Sequence, residues 1–307
     1  MKKLRQQFAD TCVEVAKHDK RLTVMVGDIS HGILQPYAKL YPDRYYNIGI
    51  CEPSIVNMAA GLRIAGLIPV VHTIAPFIIE RAYEQIKLDF GYQKLGINLI
   101  SVGGAFDYSQ LGCSHHCYSD VSLMSHFKNA QIFLPGSASE FNALFKQNYQ
   151  KNAINYFKLT ENPHSLIFDE KEINTGKAIL VEQGKDVTFV CTGAQLDNCV
   201  EANKILKTKG ISADILYCPT IKPFDEKSFL ESVNKTKCWL SVEELSAHDG
   251  LFNRCLRGTK NNSISGSKCE QLAISDFIHG YGSYDELCKK AGLTTEEIVR
   301  KATSLIS

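Results

Sequence analysis

The sequence predicts an α/β protein built from two successive α/β domains with mostly parallel sheets. Short apolar runs rich in β-branched residues alternate with stretches of helical periodicity, which is the order expected of βαβ units. The chain has 307 residues, of which 44% are hydrophobic, a length that is large for one compact domain and usual for two. A polar, turn-rich segment at residues 161–177 interrupts the alternation and indicates a linker.

The first domain is assigned to residues 1–165 and begins with an amphipathic helix. Apolar runs predict its strands at residues 22–26, 46–50, 68–73, 97–102, 131–134 and 154–159. One helix is predicted to start at Pro53, because a proline in the first turn loses no helical hydrogen bond. A second is predicted around residues 81–90. A third follows Ser137, which has the spacing of a capping box with Glu140.

The second domain is assigned to residues 181–307, after a linker at residues 166–180. Its strands are predicted at residues 186–191, 213–218, 239–242 and 271–274, and its helices from Gln195, near residues 226–233 and from Leu251. The last helix is predicted to begin with a capping box between Thr294 and Glu297. The same alternation of strands and helices therefore continues to the end of the sequence.

The charge balance excludes several classes of partner. The chain has 34 Lys and Arg against 33 Asp and Glu, so it has no basic field that would attract nucleic acid or an anionic membrane. No run approaches the ~20 apolar residues that span a bilayer, and the first helix has polar interruptions that a signal peptide lacks. We therefore expect a cytoplasmic protein whose partners are small molecules and other proteins.

The eleven cysteines are an odd number and mostly lie in apolar runs, which predicts reduced, buried thiols rather than disulfides. The run CSHHC at residues 113–117 differs, because it places four potential metal ligands in five residues. Structural zinc sites usually take a second pair of ligands from elsewhere, and no CxxC partner exists here. No metal site is predicted, although the run alone leaves metal binding open.

The segment NIGICEPSIVNMAAGLRIAG, residues 47–66, contains the first candidate functional residue. Its predicted strand ends just before Glu52, and a helix lined with small residues follows. Glu52 is thus expected at the carboxyl edge of a sheet, where open α/β sheets bind ligands. An acidic residue in a first helical turn also complements the helix dipole. This segment alone leaves both interpretations open.

Residues 42–86, PDRYYNIGICEPSIVNMAAGLRIAGLIPVVHTIAPFIIERAYEQI, resemble the pyrimidine-binding domain of transketolases and deoxyxylulose-phosphate synthases. That family has an aromatic strand, G-I-A-E-Q, a small-residue helix and a T-F-x-x-F-like segment before R-A-x-x-Q. Residues 211–244 resemble its C-terminal domain. The resemblance implies the thiamine-diphosphate-binding fold and transfer of a two-carbon ketol unit between sugars.

Full-length family members also carry an N-terminal domain whose G-D-G motif and following Asn hold the diphosphate and metal. Gly27-Asp28-Ile29 is not that motif, and no other candidate is present. The resemblance therefore implies a split enzyme in which this chain shares thiamine diphosphate with an N-terminal-half subunit. That partner is expected to hold Mg²⁺ or Ca²⁺, and the two chains to form an α2β2 heterotetramer.

The resemblance also implies roles for residues that contact the cofactor. Glu52 matches the catalytic glutamate, which forms a hydrogen bond with a ring nitrogen of the aminopyrimidine. Phe77 matches the aromatic residue that stacks on this ring, although isoleucines surround it and core packing is the alternative. Asp28 and Ile29 match an Asp-Leu pair near the thiazolium.

Substrate contacts are implied for the loop and the helix that follow. His115 matches the histidine of a T-H-Q segment, which lines the substrate channel and donates protons or hydrogen bonds. His116 replaces the glutamine, and Leu111 stands where transketolases have an Asp that recognises the donor. Arg81 matches an arginine that touches substrate phosphate in the synthases, with an ordinary salt bridge as the alternative.

Glu161 stands where transketolases have a phosphate-binding arginine, in an S-R-Q-N segment. A carboxylate there would repel a phosphate dianion, and Lys158 would compensate only if it pointed the same way. These departures predict a substrate that is not an ordinary sugar phosphate, such as a modified or nucleotide-linked sugar.

Three alternatives remain open in the sequence. They are the beta chain of an α-keto-acid decarboxylating dehydrogenase, a synthase of the deoxyxylulose-phosphate type and a non-catalytic regulatory homologue. The R-A-Y-E-Q and I-K-P-F-D runs resemble transketolase more than the dehydrogenase. Retention of Glu52, Phe77 and His115 together argues against a non-catalytic protein.

Overall fold

The computed structural model describes residues 2–262 and 266–307. The strands in these ranges are β1 Leu22–Val26, β2 Tyr45–Asn47, β3 Ile68–Ile74, β4 Ile97–Val102, β5 Ala130–Phe133, β6 Ile154–Leu159, β7 Ile179–Glu182, β8 Val187–Cys191, β9 Ala213–Tyr217, β10 Thr220–Lys222, β11 Cys238–Ser246 and β12 Lys268–Ile274. The helices are α1 Leu4–His18, α2 Gln35–Leu40, α3 Glu52–Ile64, α4 Ala75–Ile79, α5 Tyr83–Gln85, α6 Asp120–Ser125, α7 Ala138–Asn148, α8 Gln195–Thr208, α9 Glu226–Thr236, α10 Leu251–Asn261, α11 Tyr284–Lys290 and α12 Thr295–Ile306.

Two sheets organise these elements. The first has the order β10-β5-β6-β4-β3-β1-β2, with every pair parallel except β10 and β5. The second has the order β12-β11-β8-β9-β7, with β7 antiparallel to β9. All residues of β1, β4, β6 and β8 are buried, as expected when helices cover both faces of a parallel sheet. The predicted α/β class with mostly parallel sheets is confirmed.

The two sheets are joined more closely than the linker suggested. Strand β10 follows the second-sheet strand β9 in sequence but pairs with β5 of the first sheet. One buried hydrophobic cluster also contains Ile132 and Phe127 from the first unit together with Leu216, Ile221 and Trp239 from the second. Packing of apolar side chains across the junction therefore links the two sheets. The sequence analysis did not predict β10.

The helix predicted around residues 81–90 is present as α5 and a π-helix that continues it, but a separate short helix, α4, precedes it and was not predicted. Helical structure begins at α4, where Pro76 lies in the first turn and loses no helical hydrogen bond. The chain then passes through α5 into a π-helix at Ile86–Tyr92. Gly91 in that segment packs against Phe127, since an added Cβ would lie 2.9 Å from the phenylalanine ring.

The predicted capping box of α7 forms only in part. The Ser137 hydroxyl accepts the Glu140 N–H, as predicted. The Glu140 carboxylate accepts the N–H of Gly136 instead of that of Ser137. The carboxylate also accepts hydrogen bonds from His164 and Tyr217, so Glu140 joins segments that are distant in sequence.

Helix α12 also has half of its predicted capping box. Thr294 accepts the Glu297 N–H, but the Glu297 carboxylate pairs with Arg300 in the next turn. A complete box occurs at α11, where Ser283 and Glu286 bond to each other's backbone N–H groups. The sequence analysis did not identify it.

All eleven cysteines are free and most are buried, in agreement with the sequence analysis. Within the described ranges, no helix combines the length and the apolar character needed to cross a membrane.

Candidate functional site

Glu52 is the first residue of α3, at the carboxyl edge of the first sheet just beyond β2. Its side chain is 1% exposed. Burial of a carboxylate is unfavourable unless hydrogen bonds compensate for the lost water. In the described part of the chain, Arg81 Nη1 donates to Oε2 at 2.8 Å, and Thr73 Oγ1 lies 3.5 Å from Oε1. Glu52 is therefore a buried acid with one close partner.

The Arg81 guanidinium also contacts Phe77. Its Cζ lies over the phenylalanine ring, 4.2 Å from the centroid, in cation–π geometry. Phe77 is half-buried, whereas its neighbours Ile78 and Ile79 are fully buried. The isoleucines thus form the core, and Phe77 presents its ring to the guanidinium at the sheet edge.

His115 continues this line of contacts. Its ring meets the Phe77 ring edge-on, with centroids 5.1 Å apart, and lies 6.2 Å from the Tyr108 ring. The side chain is half-buried. The structure thus brings together four residues that the sequence analysis singled out: Glu52, Arg81, Phe77 and His115.

The loop that carries His115 is held by the backbone and by Lys158. Ala105 and Cys117 form a two-residue antiparallel pairing, with N–O distances of 2.6 and 3.1 Å. Lys158 Nζ donates to Asp120 Oδ1 at 3.1 Å and to the Cys117 carbonyl at 3.3 Å. Burial by itself would lower the pKa of Lys158, but the Asp120 carboxylate raises it above the usual value. Its ammonium therefore stabilises the loop and does not reach toward Glu161.

His116 differs from its neighbour. It is buried, its Nε2 lies 3.4 Å from the Ser109 carbonyl, and its ring packs edge-on against Phe106. Burial lowers the pKa of His116. The histidine is therefore positioned within the loop, while His115 faces the sheet edge.

The CSHHC run does not converge on a metal position. Cys117 Sγ lies 3.7 Å from Glu80 Oε1, and Cys113 is exposed. Across residues 2–262 and 266–307, no group of three or more His, Cys, Asp or Glu side chains is arranged to hold a metal ion.

Asp28 and Ile29 lie in the turn after β1, at the same edge of the sheet. Asp28 has a left-handed backbone with φ of 61°, which aspartate tolerates better than most residues. Its N–H donates to Asn47 Oδ1 at 3.2 Å, and Asn47 Nδ2 returns a bond of 3.1 Å. The preceding Gly27 packs on Thr73, because an added Cβ would lie 3.0 Å from the threonine hydroxyl. This turn is thus next to the threonine that approaches Glu52.

His72 supports this turn, and the sequence analysis missed it. Its Nδ1 lies 2.8 Å from the Ile100 carbonyl and its Nε2 2.9 Å from Ser30 Oγ. Burial lowers the pKa of His72 to about 4, so the ring is neutral and bridges two strands to the turn. Its position in an apolar strand gave no sign of this contact.

Arg5 is a second residue that sequence reasoning missed. Its Nε lies 2.7 Å from Glu161 Oε1, and both side chains are 24% exposed. The two residues line a cavity of about 210 Å³ together with Lys2, Lys3 and Thr160. Arg5, on the first helix, therefore balances the negative charge of Glu161. The two residues lie at opposite ends of the first domain's sequence, so no local pattern could indicate the pair.

Comparison with known proteins agrees with this arrangement. The model of the transketolase pyrimidine binding domain matches residues 1–162, and that of the transketolase C-terminal domain matches residues 176–298. Both parts of the chain are thus covered by models of one family.

Several curated relatives have the same extent as this chain. It is 29% identical over 305 residues to the 6-deoxy-6-sulfo-D-fructose transketolase subunit SqwH of Clostridium sp. (strain MSTE9), covering 97% of this chain and 93% of the relative. It is 31% identical over 243 residues to an apulose-4-phosphate transketolase subunit of Actinobacillus succinogenes, covering 78% of each. A 1-deoxy-D-xylulose-5-phosphate synthase of Desulforudis audaxviator is 27% identical, and the match covers 47% of that protein.

Solved transketolase structures also resemble this chain, either over their whole length or over part of it. A structure described as a split gene transketolase, inactive beta4 tetramer, superposes with a TM-score of 0.89 at 27% identity and covers 99% of both chains. A transketolase variant of Pichia stipitis shares the fold with a TM-score of 0.78 at 18% identity, over 45% of its length. The chain therefore belongs to the thiamine-diphosphate-dependent transketolase family of transferases, and it spans that family's pyrimidine-binding and C-terminal domains.

Proposed function

We propose that this chain is the pyrimidine-binding subunit of a split transketolase that transfers a two-carbon ketol unit between sugars. The buried Glu52 carboxylate beside the Phe77 ring supports this proposal most directly. An aminopyrimidine requires a polar group for its ring nitrogen and an apolar face for its ring. Glu52 and Phe77 offer both, and one planar cation already contacts them together. The residues present therefore fit this cofactor.

Thiamine diphosphate, when bound, supplies the nucleophilic carbon and the electron sink for cleaving and forming the carbon–carbon bond. The role of Glu52 is to hold and exchange a proton at its carboxylate, next to the ring nitrogen. Burial helps, because a hydrogen bond in a medium of low dielectric constant is stronger than one in water. Phe77 orients the ring by stacking, and Asp28 and Ile29 line the thiazolium side.

His115 is proposed to contact the substrate. It is half-buried next to Phe77, so one side of the imidazole remains accessible to donate a hydrogen bond to a sugar hydroxyl. His116 and Lys158 contribute to substrate binding by fixing the loop that presents His115. Arg81, whose side chain is 45% exposed, supplies a cation at the mouth of the site for an anionic substrate group.

The remaining parts of the active site are assigned to a second chain. We propose that an N-terminal-half subunit holds the diphosphate through Mg²⁺ or Ca²⁺, and that the two chains form an α2β2 assembly. The names of the sulfofructose and apulose-4-phosphate relatives, which describe them as transketolase subunits, support this division.

The substrate is proposed to be a modified sugar. Glu161 lies where transketolases have a phosphate-binding arginine, and here it cancels the charge of Arg5. Leu111, 53% exposed, replaces the Asp that recognises the donor. Poor use of ordinary pentose and tetrose phosphates is expected. The names of two relatives, which mention 6-deoxy-6-sulfo-D-fructose and apulose-4-phosphate, support a modified sugar, and the second name also includes a phosphate group.

The proposal is tested by reconstitution. The chain is combined with a candidate partner that carries the G-D-G motif, and ketol transfer is measured for each chain alone and for the pair. We expect activity only in the pair, and weak cofactor binding to the isolated chain. Tight, magnesium-dependent binding to this chain alone contradicts the split, and acyl transfer to a lipoyl carrier would identify a dehydrogenase instead.

A further inference from the structure

The Arg81 side chain engages both proposed cofactor groups at once. Its Nη1 donates to Glu52 Oε2 at 2.8 Å, while its Cζ lies 4.2 Å from the centroid of the Phe77 ring. One planar group thus occupies the hydrogen-bonding position of the carboxylate and the stacking face of the aromatic ring. An aminopyrimidine that used Glu52 and Phe77 would need the same two positions.

The chemical likeness between the two groups explains why they compete. A guanidinium is flat and delocalised, donates N–H groups in its own plane and stacks readily on aromatic faces. An aminopyrimidine is also flat and rich in nitrogen, and it uses its edge for hydrogen bonds and its face for stacking. Lysine, with a compact ammonium, would satisfy the carboxylate without covering the ring.

The surroundings indicate that Arg81 is exchangeable rather than a fixed core contact. Its side chain is 45% exposed, whereas that of Glu52 is 1% exposed. Water can replace the contacts that the half-exposed guanidinium loses, whereas the buried Glu52 carboxylate needs a new partner once Arg81 leaves. The exposed guanidinium can therefore leave without opening a buried cavity.

We infer that Arg81 caps the pyrimidine pocket of this chain, acting as an internal substitute for the aminopyrimidine that the cofactor must displace. This inference rests on the proposed function. The cap keeps the buried Glu52 carboxylate paired while the pocket is empty. Displacement leaves the Arg81 cation at the mouth of the site, where it is available to an anionic substrate group. Arg81 thus pairs with Glu52 before the cofactor binds and contacts the substrate afterwards.

The test uses a probe for the pyrimidine position alone, 4-amino-5-hydroxymethyl-2-methylpyrimidine. The pH is kept above the pKa of the probe's ring nitrogen, so that the probe is uncharged and removal of the Arg81 charge does not change binding through charge repulsion. Its dissociation constant for the isolated chain is measured by ligand-observed NMR for wild type, Arg81→Gln and Arg81→Lys. Arg63→Gln is the matched control, because Arg63 also lies in the first domain but bonds to Asn152, away from Glu52.

Arg81→Gln is expected to bind the probe roughly 5- to 30-fold more tightly than wild type, the combined effect of one half-exposed ion pair and one cation–π contact. Arg81→Lys should tighten binding less, because the ring is uncovered while an ion pair remains. Arg63→Gln should match wild type. If Arg81→Gln fails to fold, as its melting curve would show, the lysine variant provides the same comparison with a smaller gain.

The outcomes separate the cap from the proposed function. Unchanged or weaker binding in Arg81→Gln and Arg81→Lys, with clear binding to wild type, overturns the cap and leaves the cofactor assignment intact. Absence of binding in every variant, Arg81→Gln included, also overturns the cap, because removing the guanidinium then exposes no pocket; the cofactor assignment is tested separately by ketol transfer in the reconstituted pair. Tighter binding in the Arg81 variants supports the cap even if the reconstituted pair shows no ketol transfer.

Discussion

Two buried glutamates, Glu52 and Glu140, both lie in the first turn of a helix but have very different surroundings. Each lies in the first turn of its helix, and each is almost or fully buried. Glu52 has Arg81 as its one close partner within the described ranges. The Glu140 carboxylate accepts hydrogen bonds from four groups: the Gly136 N–H at 2.8 Å, Ser137 Oγ at 2.8 Å, Tyr217 OH at 2.6 Å and His164 Nε2 at 2.8 Å.

The difference separates an acid with a structural role from the acid that we propose to be reactive. Four fixed donors leave the Glu140 carboxylate no free acceptor position for a ligand, and they join helix α7 to strand β9 and to the segment after β6. Glu243 is a further example of a saturated acid, since it accepts the N–H groups of Leu251 and Phe252 at the start of α10 and side-chain hydrogen bonds from Ser241 and Gln271. Glu52 has an incomplete set of partners and an exposed one, so it can exchange hydrogen bonds with an incoming group.

The largest predicted effect is on catalysis by Glu52→Gln. The amide keeps the size of the side chain but cannot hold and share an acidic proton. Loss of such a group typically lowers rates by about 10²–10⁴-fold. In the reconstituted pair, deuterium exchange at the thiazolium C2 and ketol transfer should both fall to this extent. Glu84→Gln, which removes an exposed acid of the same domain, is the matched control and should have little effect.

A stability measurement distinguishes the catalytic role of Glu52 from the alternative, a role limited to the helix dipole. A role limited to the helix dipole predicts a loss of about 0.3–1 kcal/mol with exchange nearly intact. Unchanged C2 exchange with a lower melting temperature would therefore contradict the catalytic assignment and favour the dipole.

The second prediction concerns Glu140→Gln, where the opposite pattern is expected. The amide cannot accept all four hydrogen bonds, so buried donors lose their partner. The free energy of unfolding should fall by about 3 kcal/mol, measured by urea denaturation. C2 exchange per folded molecule should stay near the wild-type value at a temperature where the variant is folded. A large loss of exchange in folded Glu140→Gln would break the distinction between the two acids.

The third prediction extends the comparison to His72, the buried base beneath the Asp28 turn. The pKa of His72 is about 4 in the folded chain, against an ordinary value of 6.5. Between these values the unfolded chain binds more protons, so this contribution to stability is present above pH 6.5 and lost as the pH falls toward 4. Its size is about 2 kcal/mol between pH 7.5 and pH 5.

The measurement compares wild type with His72→Gln by denaturation at several pH values. The difference in unfolding free energy between them should shrink as the pH falls from 7.5 to 5. A difference that is independent of pH would show that His72 is not a buried neutral base. Comparing each protein with itself across pH separates this term from the packing cost of the substitution.

The sequence was most informative where one local signal decided the structure. Strands β1, β4 and β6 have the predicted bounds, because continuous apolar runs mark strands buried on both faces. The family resemblance, and no local pattern, predicted that Glu52, Phe77 and His115 lie at one site, since the three residues are far apart in sequence. The resemblance did not reveal that Arg81 lies between the first two.

The sequence failed where long-range contacts decided the structure. Glu140 has the spacing of a capping box, yet Tyr217 and His164 compete for its carboxylate. Strand β10 is only three residues long and forms because it meets the edge of β5. Glu161 reads as an unpaired charge in the sequence, and its partner Arg5 lies at the other end of the domain. Such pairings depend on the completed fold.

The smallest predicted effect concerns Glu161, a partly exposed acid that has Arg5 as its ion-pair partner. Glu161→Gln removes a negative charge from the cavity and leaves the Arg5 cation free for a substrate anion. Because an ion pair of this exposure is typically worth about 0.2–1 kcal/mol, kcat/KM for phosphorylated sugars should rise only about 2- to 5-fold. Rates with an uncharged sugar should not change. Glu14→Gln is the control, since Glu14 lies on α1, the helix that carries Arg5, but pairs with Lys146. An unchanged rate with phosphorylated sugars would show that Glu161 does not limit their use. A selective rise would support control of substrate charge by Glu161.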